Sequence, residues 1–352
     1  MVPGVPDRGA DRRRRRPTLA MVAVRAGVST QTVSNAINAP QRVAPETLDR
    51  VLAVVRELRY RPHRGARAMR ASAARSVAVR LKAVPDGLNG PIFDRFLQEL
   101  CARLKAFRYT VRLVTAPWGV EEVEAYEDLF VEAAIDAVVL MEARLDDFRP
   151  AMLRSAGVPF VMFGRPWGAP DDETFPWVDV DGALGLELAV EHCVDRGYRD
   201  IAFLGWAAGA MSDERRAGWL RALRRRALPP LVAIQEGPDS VDNGRALAER
   251  VLRRPRHPQR RLALVCASDA MAIGAVAAVR RAGLTVGRDV GVTGFDDVPA
   301  AALVDPPLTT VYQPVEQCGA LVVGRLLAEL DGADAAPSAG LLAPRLVPRR
   351  TT

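Results

Sequence analysis

The sequence is poor in the residues that most enzyme and metal sites need. Its 352 residues include three histidines and four cysteines, and no group of them has metal-ligand spacing. The cysteines stand far apart in apolar segments, which favours free thiols in a reducing compartment. A Walker loop and a Gly-x-Gly-x-x-Gly that opens a helix are both missing, which argues against a kinase or a dehydrogenase. We therefore expect no enzyme activity, no metal and no cofactor.

Long apolar runs are also missing. Hydrophobic residues make up 49% of the chain, enough for a large core, but no run approaches the roughly 20 residues of a membrane span. After the arginine run at 12–16, Pro17, Thr18 and Arg25 interrupt the segment that a secretion signal would need. We expect a cytoplasmic protein without a membrane partner, built from two or three domains.

Positive charge is concentrated at one end of the chain. Residues 1–70 carry 15 arginines and five acidic residues, a net charge of +10, whereas the remainder carries −3. A basic module joined to a near-neutral body is typical of a nucleic-acid-binding protein with a second function. The alternative, a disordered basic leader on an ordinary enzyme, explains the arginine run but not the helical pattern after it.

Residues 26–38, AGVSTQTVSNAIN, have the pattern of the second half of a helix-turn-helix. Gly27 is predicted to form the turn and Ser29 to cap a new helix. The inner face of that helix would hold Val33, Ala36 and Ile37, and the outer face Thr30, Gln31, Ser34 and Asn35. Short polar side chains on the exposed face of such a helix suit base edges in the major groove.

The rest of the chain divides by pattern. Residues 1–16 are expected to be a disordered basic leader, 17–62 a three-helix DNA-binding domain, and 63–75 a hinge helix or flexible linker. From residue 76, apolar strands alternate with amphipathic helices, which predicts parallel sheets covered on both faces. Two such runs suggest two lobes with a ligand cleft between them. We assign 76–170 and 300–325 to the N-lobe, and 171–299 and 326–352 to the C-lobe.

The order of these motifs resembles the lactose-repressor (LacI/GalR) family of transcription regulators. The resemblance covers about residues 17–352 and rests on several stretches, which read TLAMVAVRAGVSTQTVSNAIN, RVAPETLDRVLAVVRELRYRP, HRGARAMRA, IAFLGW, ERRAGW, CASDAMAIGA, VGVTGFDD and PPLTTVYQP. It implies an all-α helix-turn-helix domain plus an α/β two-lobed body like a periplasmic binding protein. It also implies a homodimer, most simply a repressor, that binds a pseudo-palindromic operator in double-stranded DNA. A small molecule in the cleft would control DNA affinity.

On this resemblance, Thr30, Gln31 and Asn35 reach base edges. Asn35 stands where many members have Arg, so we expect an operator with a different half-site. The other DNA contacts that the resemblance implies lie on the same helix and its flanks or in the hinge, and are Thr18, Ser29, Thr32, Ser34, Asn38, Arg64, Ala66 and Met69. Met69 matches the apolar wedge that enters the minor groove. Thr32 and Ser34 have the alternative interpretation of helix surface or capping residues.

The effector contacts that the resemblance implies come from both lobes: Phe93, Arg165, Asp181, Trp206, Arg215, Ser268, Asp269 and Asp296. Paired Asp and Arg side chains suit the adjacent hydroxyls of a sugar, so a sugar or sugar derivative is favoured. Departures from the family pattern at Arg165, Asp239 and Ser268 argue against the best-known galactosides. A nucleobase or nucleoside effector remains the alternative. A sugar-binding transport protein would share the body but would not use the helix-turn-helix.

Overall fold

The computed structural model describes residues 19–38, 40–58, 74–82, 90–168, 175–206, 209–235, 238–255, 259–332 and 340–352. The expectations for the leader 1–16, for Thr18 and for the hinge residues Arg64, Ala66 and Met69 therefore lie outside the described residues. The side chain of Asn38 also lies outside them.

The N-terminal module consists of three helices, α1 (Leu19–Ala26), α2 (Thr30–Asn38) and α3 (Pro45–Glu57), with a short 3-10 turn at Pro40–Arg42. One buried residue from each helix, Val22, Val33 and Val51, has no exposed surface. Gly27 takes a left-handed backbone conformation (φ 66°) between α1 and α2, which a side-chain-bearing residue adopts only at a cost. The predicted helix-turn-helix is confirmed in position and in its buried face.

The N-lobe is a six-stranded parallel sheet covered by helices. In chain order its strands are β1 (Ser76–Arg80), β2 (Thr110–Val114), β3 (Ala137–Leu140), β4 (Phe160–Phe163), β5 (Trp177–Val180) and β11 (Gly340–Leu342). They pair in the order β11-β5-β4-β3-β1-β2. The helices are α4 (Pro91–Ala106), α5 (Val120–Val131), α6 (Arg149–Ala156) and α12 (Val315–Asp331). The central strands β3 (AVVL) and β4 (FVMF) are apolar along their length because both sheet faces are covered.

The C-lobe has a four-stranded parallel sheet in the order β7-β6-β8-β9. Its strands are β6 (Tyr198–Trp206), β7 (Leu231–Gln235), β8 (Arg261–Cys266) and β9 (Val290–Thr293). Its helices are α7 (Gly182–Asp195), α8 (Ala210–Arg225), α9 (Val241–Leu252), α10 (Asp269–Arg281) and α11 (Pro299–Leu303). A separate antiparallel pair joins β10 (Thr310–Tyr312) to β12 (Arg345–Val347).

The chain crosses between the lobes three times, after β5, after β10 and after β11, and this corrects the predicted lobe boundaries. Strand β5 pairs with β4, and β11 with β5, so 175–180, 326–332 and 340–342 belong to the N-lobe sheet or its cover. Ala301, Leu308 and Val311 are buried in the C-lobe core, so 300–311 belongs there instead. The first and third crossings lie together, since the backbone N–H of Asp181 donates to Leu342 O (2.9 Å).

Helix α8 lies unusually close to α7, and a glycine makes this possible. A Cβ at Gly218 would come within 2.0 Å of the carbonyl oxygen of Ala183, so no other residue fits without displacing the helix. The Ser212 hydroxyl also donates to Trp206 O (2.8 Å), which fixes the start of α8 to the end of β6. These contacts place Glu214 and Arg215 beside the inter-lobe crossing.

Among the helices that the structure describes, none is long and apolar enough to cross a membrane.

Candidate DNA-binding surface and effector cleft

The N-terminus of α2 is capped as predicted. The backbone N–H of Thr32 donates to Ser29 Oγ (3.0 Å), and the hydroxyls of Ser29 and Thr32 lie 2.8 Å apart. An N-cap of this kind satisfies one of the amide groups that a helix start leaves without a partner. Thr32 is therefore part of the helix cap, which was the alternative to its predicted contact with DNA.

The outer face of α2 has the polar composition that groove binding needs. Thr30 and Gln31 are exposed, whereas Ser34 and Asn35 are half-buried. Gln31 Nε2 donates to Asn35 Oδ1 (3.1 Å), so the two side-chain amides one turn apart form a pair. Each amide offers a donor and an acceptor, which is the arrangement that reads adenine in the major groove.

Arg215 is the central cation of the C-lobe part of the cleft. It is 5% exposed, and its Nη1 donates to Ala267 O (2.5 Å). Its guanidinium lies over the Phe295 ring (3.8 Å to the centroid), and the Trp206 ring is 5.9 Å away. Arg215 Nε is buried and has no hydrogen-bond partner among the residues described. Such an unsatisfied donor is costly unless another group binds it.

Asp296 lies beside Arg215, with Oδ1 3.9 Å from Nη2. Its backbone is left-handed (φ 124°), a conformation that costs about 1–3 kcal/mol for a residue other than glycine and that clusters at functional sites. Gln313 Nε2 donates to Asp296 Oδ1 (2.6 Å), which connects the cleft directly to the second inter-lobe crossing. Burial raises the pKa of Asp296 to about 8.

Ser268 and Asp269 have different roles although they are adjacent. Ser268 caps α10 by accepting from the Met271 N–H (3.1 Å), and its hydroxyl donates to Asp239 at the cleft surface. Asp269 is fully buried: Oδ2 accepts from the Val298 N–H (2.8 Å) and Oδ1 from the Thr310 hydroxyl (2.5 Å). The expectation that Asp269 contacts the effector is therefore corrected, because both of its oxygens bind inside the lobe.

The other predicted effector residues are divided between the cleft and the framework. Asp181 caps α7 by accepting from the Leu184 N–H (2.8 Å), and Trp206 ends β6 beside Arg215. Phe93 is half-buried against the N-lobe core. Arg165 binds protein carboxylates, with Nε 3.1 Å from Asp179 Oδ2.

Two residues near the cleft escaped the sequence analysis. Glu214 binds Arg165 (2.5 Å), and Gln313 binds Asp296. Glu214 directly precedes Arg215 in ERRAGW, but its partner is 49 positions away, so the chain itself gives little indication of the contact. Within the described part of the chain, no group of three or more His, Cys, Asp or Glu residues has a geometry that would hold a metal ion.

A helix-turn-helix module joined to a two-lobed body with a polar cleft defines a class of ligand-binding DNA-binding regulators. A model of bacterial regulatory proteins of the lacI family matches residues 18–63, and a periplasmic binding protein-like domain matches residues 190–352. The chain is 31% identical to the HTH-type transcriptional regulator CelR of Thermobifida fusca, covering 96% of this chain and 99% of the relative. It is 32% identical to the regulator MalR of Streptomyces coelicolor, covering 95% and 96%.

Solved structures agree with these matches. The chain is similar to a transcriptional regulator CelR–cellobiose complex (TM-score 0.71, 30% identity, 96% of this chain and 100% of that one). It is also similar to the lac repressor dimer bound to operator and the anti-inducer ONPF (TM-score 0.68, 28% identity, 96% and 99%). The chain belongs to the LacI family of bacterial transcriptional regulators, and the predicted family and fold class are confirmed.

Proposed function

We propose that this regulator binds a neutral sugar in the cleft and, as a dimer, represses transcription from a pseudo-palindromic operator. The observation that carries the sugar assignment is the pairing of Arg215, whose Nε is buried without a partner among the described residues, with Asp296. A sugar hydroxyl accepts from such a guanidinium and donates to such a carboxylate at the same time.

The surroundings of this pair also favour a neutral ligand over an anionic one. The guanidinium of Arg215 already faces the carboxyl groups of Asp296 and Asp239, so a phosphate group would have to displace them, whereas a sugar hydroxyl can bind beside them. Trp206 offers an aromatic face 5.9 Å from the guanidinium, which suits the C–H surface of a sugar ring. The CelR–cellobiose complex, which has the same fold, supports a sugar in this cleft.

The cleft is connected to the crossings that separate the lobes. Gln313, which lies between β10 and α12, donates a hydrogen bond to Asp296. A ligand that binds Asp296 would either replace this hydrogen bond or bind beside it. Ligand binding would therefore favour one lobe arrangement. Because the hinge joins this body to the DNA-binding helices, that arrangement alters DNA affinity, and by linkage DNA alters ligand affinity by the same factor. The mechanism is a shift between two states of the dimer.

The ligand is tested by thermal shift of the full chain with neutral sugars (cellobiose, maltose, lactose), a sugar phosphate and the purines guanine and hypoxanthine. We expect one neutral sugar to raise the melting temperature, and Arg215→Ala to abolish the shift. Arg216→Ala is the matched control, because the adjacent Arg216 is half-buried and pairs with Asp213 on the same helix (2.9 Å). Stabilisation by a purine and by no sugar would replace the sugar with a nucleobase effector.

The DNA assignment is tested by selecting bound duplexes from a random pool. We expect a palindrome whose half-site differs from that of relatives with Arg in place of Asn35. Gln31→Ala should cost about 1–3 kcal/mol at one base pair per half-site and little elsewhere. Equal weakening on all sequences would mean that Gln31 contacts phosphate only.

A further inference from the structure

Arg165 and Glu214 connect the two lobes beside the first crossing. Arg165 follows β4 in the N-lobe, Glu214 lies on α8 in the C-lobe, and Nη2 is 2.5 Å from Oε1. Arg165 also donates from its backbone nitrogen (3.2 Å) and from Nε (3.1 Å) to Asp179 Oδ2. Its guanidinium lies 4.5 Å from the centre of the Trp167 ring. The side chain that the family pattern suggests for ligand contact is thus engaged by protein groups.

Glu214 is enclosed rather than at the surface, since its side chain is 10% exposed. The first residue of α7 is Gly182, where a Cβ would lie 2.9 Å from Glu214 Oε2. Glycine at this position gives the carboxylate room beside the crossing. A half-buried guanidinium–carboxylate pair is stronger than an exposed one because less water screens it.

We propose that Glu214 is a positioning residue, and that its ion pair with Arg165 holds one arrangement of the two lobes. Breaking this inter-lobe ion pair would change the spacing of the lobes and so the response of the DNA-binding helices to effector. The expected effect of this ion pair on DNA binding rests on the proposed function. Its effect on lobe spacing does not.

The inter-lobe ion pair should depend on pH near neutrality. The pKa of Glu214 is raised to about 7, chiefly by burial and also by Asp179 and Asp181, while Arg165 and Arg215 act to lower it. Among the described residues, these four are the charged groups that face Glu214 from β4–β5, the crossing and its own helix. Because the carboxyl must lose its proton to form the ion pair, the pair strengthens as pH rises through about 7.

A second ion pair, between Arg95 and Glu316, lies within the N-lobe at the start of α12, just after the second crossing. Its charge state should not change near neutral pH. Burial alone would raise the pKa of Glu316, but hydrogen bonds from the Tyr312 hydroxyl and from Arg95 (2.8 Å) lower it to about 2. Glu316 therefore stays ionised between pH 6 and 8.5. Of these two ion pairs, only the one between Arg165 and Glu214 should change its charge state between pH 6 and 8.5.

Lobe spacing is measured by single-molecule energy transfer on the full chain without DNA or effector. Dyes are attached at Glu124→Cys in the N-lobe and Arg253→Cys in the C-lobe, both exposed positions, with the exposed Cys101 replaced by Ser. Labelled chain is mixed with an excess of unlabelled chain, so that each dimer carries one labelled protomer.

The wild type is compared with Glu214→Gln, with Arg165→Met and with Asp213→Asn at pH 6 and pH 8.5. Asp213→Asn is the matched control, because Asp213 precedes Glu214 and pairs with Arg216 instead. Asp269 and Asp296 also titrate in this range, so the difference between variants decides and not the pH profile of the wild type alone. Circular dichroism confirms that each variant is folded.

We expect Glu214→Gln and Arg165→Met to show the same shifted distance distribution at pH 8.5, and the control to match the wild type. At pH 6, Glu214→Gln and the wild type should coincide. On the selected operator, Glu214→Gln should change affinity about fivefold at pH 8.5, the lower end of allosteric coupling. If Glu214→Gln has the wild-type distance distribution at pH 8.5, the proposal is wrong, whatever the sugar and operator assays show.

Discussion

The two lobes neutralise buried carboxylates in different ways at the carboxyl edges of their sheets. In the N-lobe, Glu122 and Asp147 have no exposed side-chain surface, and Arg149 binds both, at 2.8 Å and 2.7 Å. Arg80 adds a second guanidinium to Glu122 at 3.1 Å. Every one of these buried charges has an opposite charge in contact with it.

In the described part of the C-lobe, the buried carboxyl groups of Asp269 and Asp296 have no cation within hydrogen-bond distance. Asp269 is bound by a backbone N–H and a hydroxyl, and Asp296 has Arg215 at 3.9 Å. Burial raises the pKa of both carboxyl groups, to about 7 for Asp269 and about 8 for Asp296. The comparison teaches that the N-lobe network is internally complete and structural. The C-lobe pair of Arg215 and Asp296 keeps bonding capacity for a ligand.

The largest expected effect comes from breaking the N-lobe network. Arg149→Met would leave the buried charge of Asp147 uncompensated and Glu122 with Arg80 alone, and should lower the free energy of unfolding by about 3–5 kcal/mol. Urea denaturation measures this. Arg112→Met, at an exposed position of β2, should change stability by less than about 0.5 kcal/mol. A loss at Arg149 no larger than this control would show that the network is not a structural unit.

Removing the buried C-lobe carboxylate should have a smaller effect. Asp269→Asn keeps one acceptor and loses the other, so either the Val298 N–H or the Thr310 hydroxyl is left unsatisfied. We expect a loss of about 1–3 kcal/mol in the same denaturation experiment. Asp242→Asn, 88% exposed on the same lobe, is the control and should be close to neutral.

The pH dependence of stability sharpens the difference between the lobes. A carboxyl whose pKa is higher in the folded state binds its proton more tightly there, so its contribution favours folding at low pH. That contribution is lost as pH rises from about 4, the unfolded pKa of Asp, towards 8, the folded pKa of Asp296. Asp296→Asn should remove this part of the slope and be more stable than the wild type at pH 8.5. An unchanged slope in denaturation between pH 5 and 8.5 would contradict the assignment.

The smallest effect should come from the exposed edge of the N-lobe network. Glu142 is 33% exposed and contacts Lys82 at 3.1 Å as well as Arg80. Glu142→Gln should cost at most about 1 kcal/mol, and 0.5 M salt should reduce the difference, because water and ions already screen this pair. A loss as large as that of Arg149→Met would mean that the whole network acts as one unit.

The helix-turn-helix was predictable because its signals are local. Gly27, the Ser29 cap and the spacing of Val33, Ala36 and Ile37 lie within 11 residues, and the structure has each in its expected place. The alternation of strands and helices was also predictable, since both sheet faces are covered. Helices α6 and α12 and strand β5 were missed; of these, α12 returns to the N-lobe from a distant part of the chain, after the C-lobe.

The lobe boundaries and much of the cleft depend on such non-local contacts. Sequence periodicity does not show that β11 pairs with β5, whose residues lie 162 positions earlier, and this displaced the predicted boundaries. The sequence does not distinguish Asp269 from Asp296, since each is an acidic residue just after a C-lobe strand. In the structure, Asp269 is buried inside the lobe, whereas Asp296 has a left-handed backbone conformation at the candidate cleft. The effector contacts implied by motif resemblance stay predictions, except at Asp269, where the structure binds both carboxylate oxygens inside the lobe.

The central claim is that the cleft controls DNA binding. The most direct measurement is the affinity of the full chain for its selected operator, at fixed salt, with and without a saturating amount of the sugar that stabilises it. We predict a change of about 5- to 150-fold, the usual range of allosteric coupling, and none in Arg215→Ala. Sugar binding with unchanged operator affinity would contradict the account.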